Sequence, residues 1–166
     1  MFVTKRNGKK EEVAFDKITE RIKRLINLFP STIDESKFIN ATTVGQKVVA
    51  FIHSDITTEE LDLESAKICM NLCTTHPLYA KLGGRILVSN LHKKTLDSYS
   101  ETIRRIKKDT NFYNDEYFNW IINNSKDIDN MIDYNRDYMF DFFGFKTLER
   151  AYLIKNQKTG YIYERP

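Results

Sequence analysis

The chain of 166 residues is 41% hydrophobic and 30% charged, the balance of a folded soluble domain rather than a disordered one. Its net charge of +3 is too small to argue for nucleic acid, and no apolar run approaches the roughly 18 residues of a membrane span. Two cysteines make no disulfide framework and the charged N-terminus lacks the apolar core of a secretory signal, so a reducing, cytoplasmic setting is expected.

The opening reads as a β-hairpin. FVTKR and KKEEVAF flank Asn7-Gly8, a pair that suits a type I′ turn because both central positions need φ > 0. Asp16 is the expected N-cap of a first helix, whose apolar stripe is Ile18, Ile22, Leu25, Ile26 and Phe29, and Pro30 is expected to end it. A second helix is expected over 35–53, with Phe38, Val44, Val48, Phe51 and Ile52 on its apolar side. Thr57 or Thr58 caps a third, which has acidic residues in its first turn and carries Leu61, Ala66, Ile68 and Leu72. Pro77 suits the first turn of a fourth helix running past Lys93. Gly83-Gly84 inside it costs roughly 1 kcal/mol per glycine, which makes sense if another backbone packs closely there.

After residue 94 the texture changes. Residues 95–135 are polar and helical, with Trp120, Ile121 and Ile122 as a small apolar face. The stretch 138–153 is strongly aromatic, and NQKTGYIYERP reads as a turn and a strand.

Several groups invite a chemical reading. Lys5, Arg6, Lys9, Lys10 and Lys17 surround a tight turn and a helix start, which makes either an anion site or a solvated basic hairpin. The common phosphate-binding loops GxxxxGK[ST] and GxGxxG are absent. Cys69 and Cys73 sit four apart on a helix face, as a redox or metal pair or, with no matching cluster, as two buried thiols. His53, His76 and His92 are dispersed and no nucleophile motif accompanies them, so neither a catalytic nor a metal-binding residue is assigned. Asp62 and Glu64 read as exposed helix residues or as acid–base groups. The aromatic run at 138–152 reads as core or interdomain surface, or as a platform for stacked bases.

A more specific signal comes from motifs in register. V-x-K-R-x-G at 3–8, E-x-V-x-F-D-K-I at 11–18, I-T-T-x-E-L-D at 56–62 (with one extra glutamate in the spacing), T-x-H-P-x-Y-A at 74–80 and R-I-x-V-S-N-L-H-K at 85–93 resemble the ATP-cone domain. Y-N-R-D at 134–137, F-F-G-F-K-T-L-E-R at 142–150 and the final Y-E-R-P are similar to the stretch that leads into the catalytic barrel of aerobic ribonucleotide reductase large subunits of eukaryotic or viral type. The resemblance covers the chain in order. It departs at Asn7, where Asp is usual, and at Gly83-Gly84, where alanines are common.

The resemblance implies an α+β fold. A β-hairpin covered by a four-helix bundle would form an ATP-cone at 1–94, and a mainly helical segment at 95–166 would lead into an α/β barrel beyond Pro166. It implies allosteric control of a ribonucleoside-diphosphate reductase, with ATP as activator and dATP as inhibitor, bound with Mg2+. Lys5, Arg6, Lys17 and Lys93 would hold the triphosphate. The segment Glu11, Glu12, Val13, Ala14, Phe15, Asp16 and Lys17 would wrap the nucleotide, with Glu11, Thr58 and Asp62 near base and sugar. The implied partners are the rest of the large subunit, the radical-generating small subunit and a second cone; no nucleic acid or membrane is expected. The reductase's reactive cysteines belong to the barrel and Cys69 and Cys73 match none of them, so this chain alone is not expected to reduce a ribonucleotide. Two alternatives compete: a degenerate cone serving only as an interaction domain, and a cone-bearing repressor, whose zinc-ribbon CxxC pairs this sequence lacks.

Overall fold

The structure, a computed structural model, describes residues 2–28, 34–52 and 55–166. It divides into two compact units, Met1–Asn90 with Met139–Phe145, and Leu91–Tyr138 with Lys146–Pro166.

The first unit starts with the expected hairpin. β1 (Phe2–Thr4) and β2 (Lys10–Glu12) pair antiparallel, Val3 opposite Glu11. The turn is not type I′. Gly8 donates to the Lys5 carbonyl at 2.9 Å, Lys5 donates to the Lys9 carbonyl at 2.8 Å, and of Asn7 and Gly8 only Gly8 has positive φ, at 79°. This is the three-residue loop in which a glycine takes the left-handed position, and the Asn7 side chain completes it by accepting from the Lys9 amide. A third strand, unannounced by any sequence pattern, joins the hairpin. β3 (Ile56–Thr57) pairs parallel to β1, Val3 opposite Ile56, so the sheet order is β2-β1-β3. Two residues are too few to show a period of two, and here burial decides, with Ile56 1% exposed.

Helix α1 (Phe15–Ile26) begins one residue before its expected cap. Ala14 stands at the N-cap with no side-chain bond, and Asp16 instead places its charge in the first turn, where it still meets the helix dipole. Ile22, Leu25 and Ile26 are buried as expected; Phe29 and Pro30 lie outside the described residues. Helix α2 is shorter than expected, Ala41–Ala50, because Asn40 caps it by accepting from the Thr43 amide at 3.0 Å. Residues Glu35–Lys37 form a separate 3-10 turn, and Phe38 and Phe51 fall outside the helix and stay exposed, while Val44 and Val48 are fully buried.

Helix α3 (Thr58–Asn71) is capped at Thr57. Its hydroxyl accepts from the Glu60 amide at 3.1 Å and the Glu60 carboxylate accepts from the Thr57 amide at 2.9 Å, a reciprocal capping box. Helix α4 (Leu78–His92) ends just before Lys93. It runs through the core, with residues 82–88 all buried. Arg85 is the charge within that run. It meets Glu35 through two nitrogens at 2.6 and 3.0 Å and donates to the Leu25 and Ile26 carbonyls at the end of α1. A buried guanidinium needs acceptors of this kind, and these four bonds tie α1, the 3-10 turn and α4 together. The close approach expected at Gly83-Gly84 is present. A methyl group at Gly84 would run into the backbone of Phe140 and Asp141, and one at Gly83 would lie 3.2 Å from the Ala66 carbonyl.

The second unit is helical, with α5 (Tyr99–Thr110), α6 (Asp115–Asn123) and α7 (Ser125–Met131). Ser98 and Asn114 cap α5 and α6 through their side chains, and Asn111 ends α5 in the left-handed conformation at φ 51°. Of the small apolar face only Ile121 is buried, and Trp120 is 57% exposed. Helix α8 (Phe142–Thr147) runs on into a π-helical turn over Leu148–Tyr152. Within the aromatic run Phe145 is buried, whereas Phe143 and Tyr152 are exposed, so it is not a core as a whole. The final turn closes through Asn156, whose side chain accepts from Lys158 and Thr159, but the strand reduces to one bridge, Lys155 to Ile162. No helix among the described residues is long and apolar enough to cross a membrane.

Candidate nucleotide site

A cavity of about 170 Å³ lies in the first unit between the hairpin, α1 and α3. Helix periodicity builds one wall. Ala14, Lys17, Ile18, Arg21, Ile22 and Leu25 recur every three or four residues and so share one face of α1. Val3, Lys5, Glu11, Glu12 and Val13 come from the hairpin and the link to α1, Thr58, Leu61, Asp62 and Ser65 from α3, and Ile86 from α4. The buried side is apolar, with Ile22, Leu25 and Ile86, while Lys5 and Lys17 remain 41% and 76% exposed. Apolar depth beside accessible cations suits a flat base with a charged tail.

Two charge clusters border this space. Glu11 lies 2.5 Å from the Lys5 ammonium and 3.6 Å from that of Lys17. The hydrogen bond from Lys5 holds the Glu11 carboxyl below its usual range, and Lys17 adds to that. The second cluster centres on Asp62, which is 1% exposed. Arg6 reaches one of its oxygens at 3.2 Å and Arg21 pairs with the other. The same Arg6 nitrogen donates to the buried Asn90 side chain at 2.5 Å. Burial draws Arg6 below its ordinary value, against the raising influence of Glu59. The expectation that Asp62 is an exposed helix residue is thus wrong: its two arginine partners are what allow a carboxylate to be buried. Glu64, in contrast, is a surface residue paired with Lys67 at 2.6 Å.

Of the residues singled out from the sequence, Lys5, Glu11, Glu12, Val13, Ala14, Lys17, Thr58 and Asp62 line the cavity. Arg6 reaches it through Asp62. Phe15 and Asp16 are exposed on the first turn of α1 outside the lining, and Lys93, past the end of α4, does not line it either. Arg21, Leu61, Ser65 and Asn90 were missed. Arg21 carried a readable signal, since it lies four residues after Lys17 on the face that already held Ile18, Ile22 and Leu25. Asn90 had none; only folding brings it to Arg6.

The remaining candidates are structural. Cys69 is fully buried and burial pushes its thiol up to about 12, which makes it inert at neutral pH, and Cys73 is half-buried. His76 stacks on Phe38 with ring centres 4.8 Å apart, and His92 lies 2.7 Å from Asp137. His53 lies outside the described residues. Among the described residues no group of three or more His, Cys, Asp or Glu side chains is placed to hold a metal ion.

An α+β unit whose cavity is apolar within and cationic at its edge defines the class. Residues 1–94 match the ATP cone domain family, and the chain belongs to it. Its relatives include ribonucleoside-diphosphate reductase large chain 2 of Saccharomyces cerevisiae, at 41% identity over 175 residues. The large subunits of Arabidopsis thaliana and Vaccinia virus are 42% and 43% identical over 174 and 176 residues. These alignments take in 100% of this chain but 19%, 20% and 22% of the relatives, so the chain spans about a fifth of their length.

Proposed function

We propose that the chain is the activity-regulating part of a ribonucleoside-diphosphate reductase large subunit, binding ATP as activator and dATP as inhibitor to control deoxyribonucleotide synthesis. The observation that carries this reading is the cavity itself. The adenine base lies against Ile18, Ile22, Leu25 and Leu61, and Lys5 and Lys17 face the phosphates; Arg6, which reaches the cavity through Asp62, joins them on the family pattern. Glu11 and Thr58 sit beside the base and Asp62 beside the sugar, where a buried carboxylate reports a 2′-hydroxyl. Phe15, Asp16 and Lys93 belong to the proposal on the family pattern alone. Magnesium would travel on the nucleotide's phosphates, the usual way this ion is held beside a triphosphate. In this reading residues 1–94 are the cone under a four-helix cover and 95–166 lead toward a catalytic barrel. The partners are the rest of the large subunit, the radical-generating small subunit and a second cone, in the cytoplasm.

The chemistry sets the size of the signal. ATP and dATP differ by one hydroxyl, and one buried hydrogen bond is worth about 1–3 kcal/mol. Either nucleotide shifts an assembly equilibrium only by its differential affinity for the two states. The test is calorimetric titration of the chain with dATP, ATP and GTP, followed by sizing with each. Micromolar binding of the adenine nucleotides and not of GTP supports a working cone. No binding by a folded chain overturns it in favour of an interaction domain whose cone has lost its ligand.

A further inference from the structure

We propose that Arg21 is a positioning residue that fixes Asp62 for telling ATP from dATP; this rests on the reading of the cavity as an adenine-nucleotide site. Three observations converge on it. Arg21 lines the cavity on the same face of α1 as Lys17 and Ile18. It pairs with one oxygen of Asp62, while Arg6 takes the other at 3.2 Å. Asp62 is 1% exposed, so protein groups rather than water determine which way its carboxylate faces.

The two arginines are not equivalent. Arg6 stands on the hairpin turn and divides its guanidinium between Asp62 and Asn90, so it acts as a tie across the sheet, α3 and α4. Arg21 stands mid-helix on α1, with a rigid backbone behind it. Its planar, permanently charged guanidinium sets one nitrogen against one carboxylate oxygen from a fixed direction and so holds the carboxylate plane, whereas an ammonium acts as a point charge only. A carboxylate offers about four acceptor positions, more than two guanidinium contacts use, so a sugar hydroxyl can be accepted without breaking either pair. With the plane unfixed, Asp62 meets ribose and deoxyribose alike. An ion pair that merely held α1 to α3 would leave the preference between nucleotides untouched.

The experiment measures ATP and dATP dissociation constants for the whole chain carrying Arg21→Met, Arg21→Lys, Asp62→Asn, or Arg21→Met with Asp62→Asn, each checked for folding by circular dichroism. The Met variant should bring the ratio of the two constants roughly fivefold or more closer to unity. Lysine should restore part of it, and adding Arg21→Met to Asp62→Asn should change the ratio no further. An unchanged ratio in the folded Met variant overturns the proposal, as does an additive effect in the double variant, which would mean that Arg21 acts apart from Asp62. If Arg21→Met does not fold, the lysine variant and the comparison within the Asp62→Asn background decide the question. Failure of the unaltered chain to bind either nucleotide would overturn the site reading itself, and would be seen before any variant is made.

Discussion

Lys5 and Lys17 differ from Asp62 in what they can report. Both lysines keep water contact and share the partner Glu11, so in the proposed site they would meet only the triphosphate that ATP and dATP have in common. Lys5→Ala with Lys17→Ala should therefore weaken both nucleotides by the same factor, roughly two orders of magnitude, and leave the fold intact. Equal titration heats before and after the double substitution would remove the two lysines from the phosphate role. Asp62→Asn should act in the opposite manner, narrowing the preference between the two nucleotides; an unaltered ratio would remove Asp62 from the sugar. Half of the cavity lining was legible, all of it but Lys5 in two short contiguous motifs, 11–17 and 57–62. What stayed hidden was pairing. Arg6 to Asn90 spans 84 positions and Arg6 to Asp62 spans 56, and no local spacing joins them.

Helix ends and crossings decide the behaviour of whole elements. Gly84 lies where α4 meets the backbone of Phe140 and Asp141, so Gly84→Ala gains helix propensity but forces that backbone apart. The clash should dominate, with a loss of about 1–3 kcal/mol in urea unfolding; a stabilised variant would show that the segment moves away freely. In the second unit α5 starts on a carboxylate from α7. Asp129 accepts from the Ser100 amide at 2.9 Å and from the Ser98 and Ser100 hydroxyls at 2.9 and 2.7 Å. Burial pushes Asp129 up, but the bonds from Ser100 and Ser98 outweigh it and hold the carboxyl below its usual range. A depressed folded value means that the contribution is complete above the unfolded value, near about 4, and is lost as pH falls through the folded one. Asp129→Asn should cost about 1 kcal/mol at neutral pH and flatten the acid limb of the stability profile below about pH 4. An acid limb of unchanged slope would show that other carboxylates set it. The same logic separates the legible elements from the rest. Capped, periodic helices such as α3 were readable from Thr57 and Glu60, whereas β3 has two residues and no period to read. The second helix is shorter than its apolar stripe suggests because the Asn40 cap leaves Phe38 outside at one end and Phe51 stands at the C-cap at the other.

At the scale of the molecule, ligand binding and folding are one equilibrium. The cavity is walled by the hairpin, α1, α3 and α4, so a nucleotide bound there touches most of the first unit's elements and binds little to the unfolded chain. Linkage then sets the gain. At a free concentration about a hundredfold above its dissociation constant, a ligand adds about 2.7 kcal/mol, which for a chain of this size raises the melting midpoint by roughly 5–10 °C. ATP and dATP at matched saturation should give matched shifts, since linkage depends on occupancy and not on which hydroxyl is present. Size is a separate observable. A dATP-specific increase in particle size at equal saturation would place an assembly signal within these residues, reached through the differential affinity of dATP for the associated state. Equal thermal shifts with no change in size would mean that these residues read the nucleotide without carrying the assembly signal themselves. No thermal shift with either nucleotide would contradict the adenine-nucleotide reading directly, because binding confined to the folded state cannot occur without one.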